Sequence, residues 1–267
     1  MKRSGHSMLV FYVLFAVLAV STLLPFAAQA NEAGTYSWYC VHVKDHKQPS
    51  ADPSLSFVEE FGGVYLDRRV NEENADRVVY LTFDAGYENG NISKIMDILR
   101  AENVKGTFFI LENLIEKNPE LVKRMRAEGH TVANHTAHHK DMSTVSDEVL
   151  LKELHTLEDD YRNLTGEEMP RFYRPPEGRF SRANMECLSR NGYRTVFWSF
   201  AYADWDNNRQ ISPERAKKII LDNVHNGEIM LLHPTSATNA KVLGDVIREL
   251  KSQGYRFGTP DELASHA

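Results

Sequence analysis

The feature that most constrains the fold of this 267-residue chain is a regular alternation of short apolar runs with helical patterns. Strands that alternate with helices form a mainly parallel sheet, either open and doubly wound or closed into a barrel. The sequence contains no Gly-x-Gly-x-x-Gly motif or phosphate-binding loop, which favours the barrel. We therefore predict an α/β fold, a distorted (β/α) barrel of about seven parallel strands, since a regular barrel has eight. The apolar runs of strand length begin near Val78, Gly106, Thr131, Arg171, Arg194, Glu228 and Tyr255.

Helix signals occupy the segments between these runs. The apolar residues Ile92, Ile95, Met96 and Leu99 fall on one helical face. Ser146 precedes acidic residues that suit the first turn of a helix, and Ser212 followed by Pro213 indicates a second start. A further helix is predicted from about Asn239 to Gln253, with Gly254 at its C-terminal end.

The N-terminal residues have a different composition from the rest. Lys2 and Arg3 precede an apolar stretch at residues 8–24, and the small-residue pattern Ala28-Gln29-Ala30 follows. This is typical of a secretory signal peptide over residues 1–30, although the stretch is almost long enough for an uncleaved membrane anchor. Residues 31–75 are predicted to form a partly ordered extension that leads into the main domain, which occupies residues 76–267. Either interpretation places that domain outside the cytoplasmic membrane.

Composition excludes several classes of protein. The chain is 42% hydrophobic and 25% charged, as packed globular proteins are. Its net charge of −6 and its lack of a basic cluster argue against a nucleic-acid partner. Two cysteines exclude a disulfide scaffold, and we expect Cys40 and Cys187 to be separate thiols, although one bridge between them stays open. We expect a monomer whose mature domain does not insert into membranes.

Chemically capable side chains follow five of the predicted strands. The carboxyl ends of parallel strands gather at one face of a sheet or barrel, so these residues should converge although they are far apart in sequence. They are Asp84, His135, Arg174, Asp204 with Trp205, and His233.

Each of these residues also has a purely structural interpretation. Asp84 could stabilise a turn, Arg174 could be a surface charge, and Trp205 or His233 could belong to the core. Their placement at one face makes a shared functional site the better explanation.

His135 and His139 in "NHTAHH" are candidate metal ligands. Four residues apart, they would share a face on a helical turn, as pairs of metal ligands do. A chance His-x-x-x-His is common, and His138 between them complicates the assignment.

Five ordered segments, "TFDAG", "NHTAHH", "RPPEG", "ADW" and "LLH", resemble the motifs of polysaccharide deacetylases, carbohydrate esterase family four, which include the nodulation-type chitooligosaccharide deacetylases. The resemblance extends from about Arg77 to Leu263, and it implies a distorted (β/α) barrel and a polysaccharide deacetylase domain over residues 76–267. "YLTFDAGYENG", "FWSFAYADW" and the upstream "SWYCVHVKDHKQP" further resemble the delta-lactam-biosynthetic de-N-acetylases of bacterial spore cortex.

The resemblance implies a role for each matching residue. Asp84 corresponds to the general base, which Arg174 holds in place, and His233 corresponds to the general acid. His135 and His139 correspond to two ligands of a divalent metal, zinc or a similar ion. Hydrolysis of an amide requires an activated water and a proton for the leaving amine, which suits these residue types.

Two positions depart from the family pattern. The second aspartate of the usual TFDDG motif, a metal ligand, is Ala85 here. With two histidines left, water or substrate would complete the metal shell, so we expect weaker binding. The usual DxxDW motif begins with Ala201, so Asp204 is the remaining candidate for the carboxylate partner of the acid.

The leading hypothesis is a secreted or envelope-associated de-N-acetylase acting on peptidoglycan glycan strands. In the spore-cortex subgroup the target is N-acetylmuramic acid in the forespore envelope, and the product leads to muramic delta-lactam. Tyr87 and Trp205 are the candidate substrate-binding aromatic residues. The alternatives are a glycan-binding protein that lost its third metal ligand and catalysis, and a glycosidase using Asp84 and Asp204.

Overall fold

The computed structural model describes residues 34–264, so the predicted signal peptide at residues 1–30 lies outside the described residues. None of the helices it describes is long and apolar enough to cross a membrane. The strands are β1 (Thr35–Ser37), β2 (Arg77–Ala85), β3 (Thr107–Ile110), β4 (Thr131–Asn134), β5 (Phe172–Tyr173), β6 (Arg179–Ser181), β7 (Arg194–Thr195), β8 (Glu228–Leu232) and β9 (Tyr255–Phe257). The helices are α1 (Phe57–Glu60), α2 (Ile92–Ala101), α3 (Glu112–Lys117), α4 (Pro119–Ala127), α5 (Asp147–Thr165), α6 (Arg182–Arg190), α7 (Pro213–Asn223), α8 (Ala237–Ser252) and α9 (Pro260–Ala264).

Seven parallel strands form the main sheet, as the apolar runs predict. Their order is β7-β5-β4-β3-β2-β8, and β9 pairs with β2. The sheet curls into a distorted barrel, which confirms the predicted fold class and excludes the open doubly wound alternative. Isolated bridges join the two edges of the curled sheet, since Val64 pairs with Val196, Leu66 with Glu228 and Phe200 with Met230.

The period of two along β2 explains which side chains face the barrel interior. One set of alternate residues packs against the outer helices, and the other set faces inward, where Asp84 is found. The outward set is Val79, Leu81, Phe83 and Ala85, and the inward set is Val78, Tyr80, Thr82 and Asp84. The methyl group of Ala85 is therefore part of the main core.

The predicted helix signals are confirmed. The face formed by Ile92, Ile95, Met96 and Leu99 is completely buried. Ser146 and Ser212 accept hydrogen bonds from the first-turn amides of α5 and α7. Helix α8 starts slightly earlier than predicted, with Ser236 as its cap, and Gly254 follows it with a positive φ of 85°.

The residues before β2 include the short elements β1 and α1. Strand β1 pairs with β6 in a small antiparallel sheet, and aromatic residues of this segment form a buried cluster with residues of the main domain. Trp38 stacks on Phe197 with ring centroids 4.4 Å apart. Sequence periodicity missed this cluster because its aromatic residues are widely and unevenly spaced. The cluster crosses the proposed boundary at residue 76, which stays a prediction.

Cys40 and Cys187 are both free thiols, as expected. Burial raises the pKa of Cys40 to about 12, so the thiol stays protonated, and its Sγ donates to the carbonyl of Trp198 at 3.2 Å.

Candidate active site

The carboxyl ends of the parallel strands surround a pocket of about 800 Å³. Asp84 lies at the end of β2, and His135 and His233 directly follow β4 and β8. The predicted site residues that line the pocket are Asp84, Tyr87, His135, His139, Trp205 and His233. Arg174 and Asp204 are buried behind this lining, where they contact Asp84 and His233. The convergence expected from the strand ends is thus present.

Arg174 is completely buried and holds Asp84 from behind. Its Nη1 donates to Asp84 Oδ1 at 2.8 Å, and its Nη2 donates to Thr82 Oγ1 at 2.8 Å. Its Nε donates to the carbonyl of Val196 at 2.9 Å, and the guanidinium carbon lies 4.2 Å from the ring centroid of Phe109. A cation whose donors are occupied in this way has little freedom to move.

The environment of Asp84 keeps its carboxylate ionised. Burial by itself would raise the pKa of Asp84, but the charges of Arg174, His135 and His233 and the hydrogen bond from Arg174 lower it below its usual value. Its second oxygen, Oδ2, lies 3.6 Å from His135 Nε2 on the pocket side. Asp84 can therefore accept a proton from a group bound in the pocket.

His233 faces the pocket with Asp204 behind it. His233 Nδ1–H donates to Asp204 Oδ1 at 2.7 Å, and the His233 amide donates to Asp204 Oδ2 at 2.8 Å. Burial lowers the pKa of His233, but the hydrogen bond and charge of Asp204 more than offset this, so the pKa is raised. Because Nδ1 is occupied, Nε2 is the nitrogen that can exchange a proton with a bound molecule.

Asn239 and Tyr202 support this pair, although no motif in the sequence marks either residue. Asn239 Nδ2 donates to Asp204 Oδ2 at 2.6 Å and to the carbonyl of His233 at 3.1 Å. The hydroxyl of Tyr202, which lines the pocket, donates to Asn239 Oδ1. Asn239 lies 35 residues from Asp204 in the chain, and no local pattern connects them.

His135 and His139 lie close together, but on a loop. Their spacing predicts one face of a helical turn, whereas the structure gives Thr136 and His139 left-handed φ values of 71° and 55°. Such backbone conformations cost about 1–3 kcal/mol each for residues other than glycine. The two imidazole rings still lie next to each other, in an edge-to-face arrangement with centroids 5.0 Å apart and planes at 72°.

The donor set fits a divalent cation held by two protein ligands. His135 Nδ1–H donates to the carbonyl of Arg174 at 2.8 Å, which leaves the lone pair of Nε2 directed to the pocket side. Burial lowers the pKa of His135 to about 4, so its imidazole is neutral and able to bind a metal at neutral pH. Among residues 34–264, no three histidine, cysteine, aspartate or glutamate side chains are arranged to hold a metal ion. Water or substrate would fill the other positions around a metal at His135 and His139.

Two exposed aromatic residues stand at the pocket rim. Trp205 is 61% exposed, and its ring lies 6.2 Å from that of His233. Tyr87 is 47% exposed, and its hydroxyl accepts a hydrogen bond from Asn207 at 2.7 Å. Amphipathic rings in this position suit contact with a sugar.

Several further lining residues were not identified from the sequence. Glu177 has a φ of 55°, and Gly178 after it lies so near Trp198 that a Cβ would come within 2.8 Å of that ring. The glycine of the "RPPEG" segment is the signal that could have marked this close approach. The other lining residues are Gly86, Leu111, Ala201, Leu231 and Thr235.

Comparisons with known proteins agree with this geometry. Residues 71–196 match the family described as polysaccharide deacetylase. The chain is 37% identical over 240 residues to the peptidoglycan-N-acetylmuramic acid deacetylase PdaA of Bacillus subtilis, covering 89% of both chains. A peptidoglycan-N-acetylglucosamine deacetylase of Bacillus cereus is 32% identical over 71% of this chain and 89% of its own. The solved structure of Bacillus subtilis PdaA, a family 4 carbohydrate esterase, superposes with a TM-score of 0.81 and 36% identity, covering 87% of this chain and 97% of that one.

Proposed function

Since this chain belongs to the polysaccharide deacetylase family, carbohydrate esterase family four, we propose that it de-N-acetylates the N-acetylmuramic acid of peptidoglycan glycan strands. The chain is an amide hydrolase that acts on N-acetylated amino sugars of peptidoglycan. The name of its Bacillus subtilis relative supports muramic acid as the target sugar, and the match extends over most of both chains. Resemblance to the spore-cortex subgroup extends this proposal to the cortex. We further propose that the enzyme works outside the cytoplasmic membrane.

The observation that carries the proposal is that Asp84 and His233 line the same pocket and that each is paired with a group of opposite charge. Asp84, paired with Arg174 at 2.8 Å, is a carboxylate that stays ionised. His233, paired with Asp204 at 2.7 Å, is an imidazole with a raised pKa. Hydrolysis of an acetamide needs a base to deprotonate water and an acid to protonate the amine.

In the proposed mechanism Asp84 Oδ2 accepts a proton from the attacking water. The water oxygen bonds to the acetyl carbon, and His233 Nε2 donates its proton to the sugar nitrogen as the carbon–nitrogen bond breaks. The products are acetate and a free amino sugar. A divalent cation held by His135 and His139 would supply Lewis-acid polarisation of the acetyl carbonyl.

The product explains the link to the lactam. In a muramic acid without its peptide, the freed amine and the lactyl carboxylate belong to the same sugar. Loss of water between these two groups closes the six-membered muramic delta-lactam.

The test is incubation of the protein with peptide-free glycan strands, followed by mass spectrometry. The expected result is loss of acetyl groups from muramic acid with no new reducing ends. Acetyl loss from glucosamine residues alone would contradict the proposed target sugar. Binding without acetate release would favour the glycan-binding alternative, and new reducing ends would favour the glycosidase.

A further inference from the structure

The loop that carries the two candidate metal ligands is held in an unusual conformation. Thr136 and His139 both have positive φ, so Ala137 and His138 lie between two unfavourable backbone positions. Such a loop keeps its shape only where its surroundings hold it. The contacts of Ala137 and His138 therefore decide where the imidazole of His139 is placed.

Glu153 of α5 makes most of these contacts. Its carboxylate Oε2 accepts a hydrogen bond from the amide of His138 at 3.1 Å, and its main-chain carbonyl accepts one from the amide of Ala137 at 3.2 Å. The same carboxylate accepts from His138 Nδ1 at 3.0 Å and from Lys140 Nζ at 2.9 Å. Both amides between the two strained residues are thus bound by one residue.

The Glu153 carboxylate is buried, unlike the side chains that it binds. Its side chain is 8% exposed, whereas those of His138 and Lys140 are 51% and 61% exposed. Helix α5 supports the start of the same loop, because Asn134 Nδ2 donates to the carbonyl of Leu154 at 3.0 Å. Glu153 therefore joins the loop to a rigid element of 19 residues.

We propose that Glu153 is a positioning residue that holds His135 and His139 in their metal-binding arrangement. This inference rests on the proposed role of the two histidines as ligands. Without the Glu153 carboxylate the His138 amide loses its partner, and the loop can relax towards negative φ. The imidazole of His139 would then turn away from His135.

The test is calorimetric titration of Zn²⁺ into the full chain and its variants. Loss of a residue that orients metal ligands typically weakens binding about 10- to 100-fold, and we expect this for Glu153→Ala. Glu153→Gln should weaken binding less, because its amide oxygen can still accept from the His138 amide.

Glu112→Gln is the matched control. Glu112 Oε2 contacts the same imidazole at His138 Nε2, 3.1 Å away. Within the part of the chain that the structure describes, the Glu112 side chain makes no hydrogen bond to the loop backbone. We expect this variant to bind Zn²⁺ nearly as tightly as wild type. If Glu112→Gln and Glu153→Ala weakened Zn²⁺ binding equally, negative charge near His138 would explain the loss of affinity, and the proposal would be overturned.

Thermal unfolding in the presence of a chelator separates positioning from general stability. If Glu153→Gln unfolds at the wild-type temperature and yet binds Zn²⁺ more weakly, the positioning role is supported. Wild-type affinity in Glu153→Ala would overturn the positioning role alone. Because no sugar is used, failure of the proposed substrate would leave these results unaffected, whereas absence of Zn²⁺ binding in wild type would overturn both the ligand assignment and the positioning role.

Discussion

The two sides of the pocket are built differently. On the base side, Asp84 lies at the end of β2 and Arg174 directly follows β5. The two residues form an ion pair inside the barrel, and the side chain of Arg174 is completely buried. On the acid side, Asp204 lies in a long loop, and the side chain of His233 is 26% exposed. Asn239, from the first turn of α8, supports the acid side from behind.

The difference shows how one fold keeps an acid and a base active together. Each group has a partner of opposite charge, and the two partners move the pKa values apart. Arg174 lowers the pKa of Asp84, and Asp204 raises the pKa of His233. The result is a wide pH range in which the base is ionised and the acid is protonated.

Removal of the base should have the largest effect. Asp84→Asn keeps the size of the side chain but cannot accept the proton of water, so we expect acetate release to be abolished. The measurement is acetate release from peptide-free glycan strands. Asp222→Asn on the exposed side of α7, where Asp222 pairs with Lys218 at 2.7 Å, is the control and should retain full activity. Turnover near that of wild type in Asp84→Asn would remove Asp84 as the base.

Removal of the acid should have the next largest effect. His233→Ala should lower kcat by about 10²- to 10⁴-fold, the range typical of general acid catalysis, with a smaller change in KM. Steady-state kinetics measures both constants, and His155→Ala on the exposed face of α5 is the control. A change confined to KM would mean that His233 binds substrate and does not donate a proton.

Replacement of Arg174 should reveal how much the base side depends on its buried cation. Arg174→Met leaves Asp84 buried without its partner, and breaking such pairs costs about 3–5 kcal/mol of unfolding free energy. In wild type the lowered pKa of Asp84 adds stability above its unfolded pKa, and this contribution disappears as pH falls. In Arg174→Met the pKa of Asp84 should rise, so the acidic limb of the activity profile should move to higher pH.

Urea unfolding at neutral and acidic pH, together with the pH profile of kcat/KM, checks this prediction. An acidic limb in the same place as in wild type would show that Arg174 does not set the ionisation of the base.

Replacement of Asp204 should have the smallest effect. Asp204→Asn keeps an acceptor for His233 Nδ1 but removes the negative charge, so the pKa of His233 should fall. Because the acid must be protonated, the alkaline limb of the pH profile should move to lower pH. Asp206→Asn in the same loop, where Asp206 accepts from the amide of Asn208 at 2.9 Å, should leave the limb in place. If the alkaline limb did not move in Asp204→Asn, the charge of Asp204 would not be what raises the pKa of His233.

Much of this architecture follows from local sequence. Hydrophobic periodicity and helix capping involve residues close together in the chain. They therefore identify the seven strand starts, the buried face of α2 and the capping serines of α5 and α7. The location of the site follows too, because polar residues after Leu81 or Leu232 must emerge where parallel strands end.

Other parts of the site depend on residues that no local pattern connects. In the sequence Thr82 has the pattern of an ordinary strand residue, yet its hydroxyl accepts a hydrogen bond from Arg174, 92 residues away. Asn239 reads as a helix residue, yet its amide supports Asp204. The strain at Thr136 and His139, which replaces the expected helical turn, is likewise held by contacts with another element.

The sequence by itself determined the strands, the parallel sheet and the end of the barrel at which Asp84, His135, Arg174 and His233 emerge, because these depend on short-range periodicity and on strand direction. Only the tertiary structure decided that Val64 and Leu66 bridge the two edge strands, and which buried donor meets which carboxylate. The physical reason is that a hydrogen bond between side chains depends on their distance and orientation to within a fraction of an ångström. Those positions are set by the packing of the whole barrel and not by the residues next to each group.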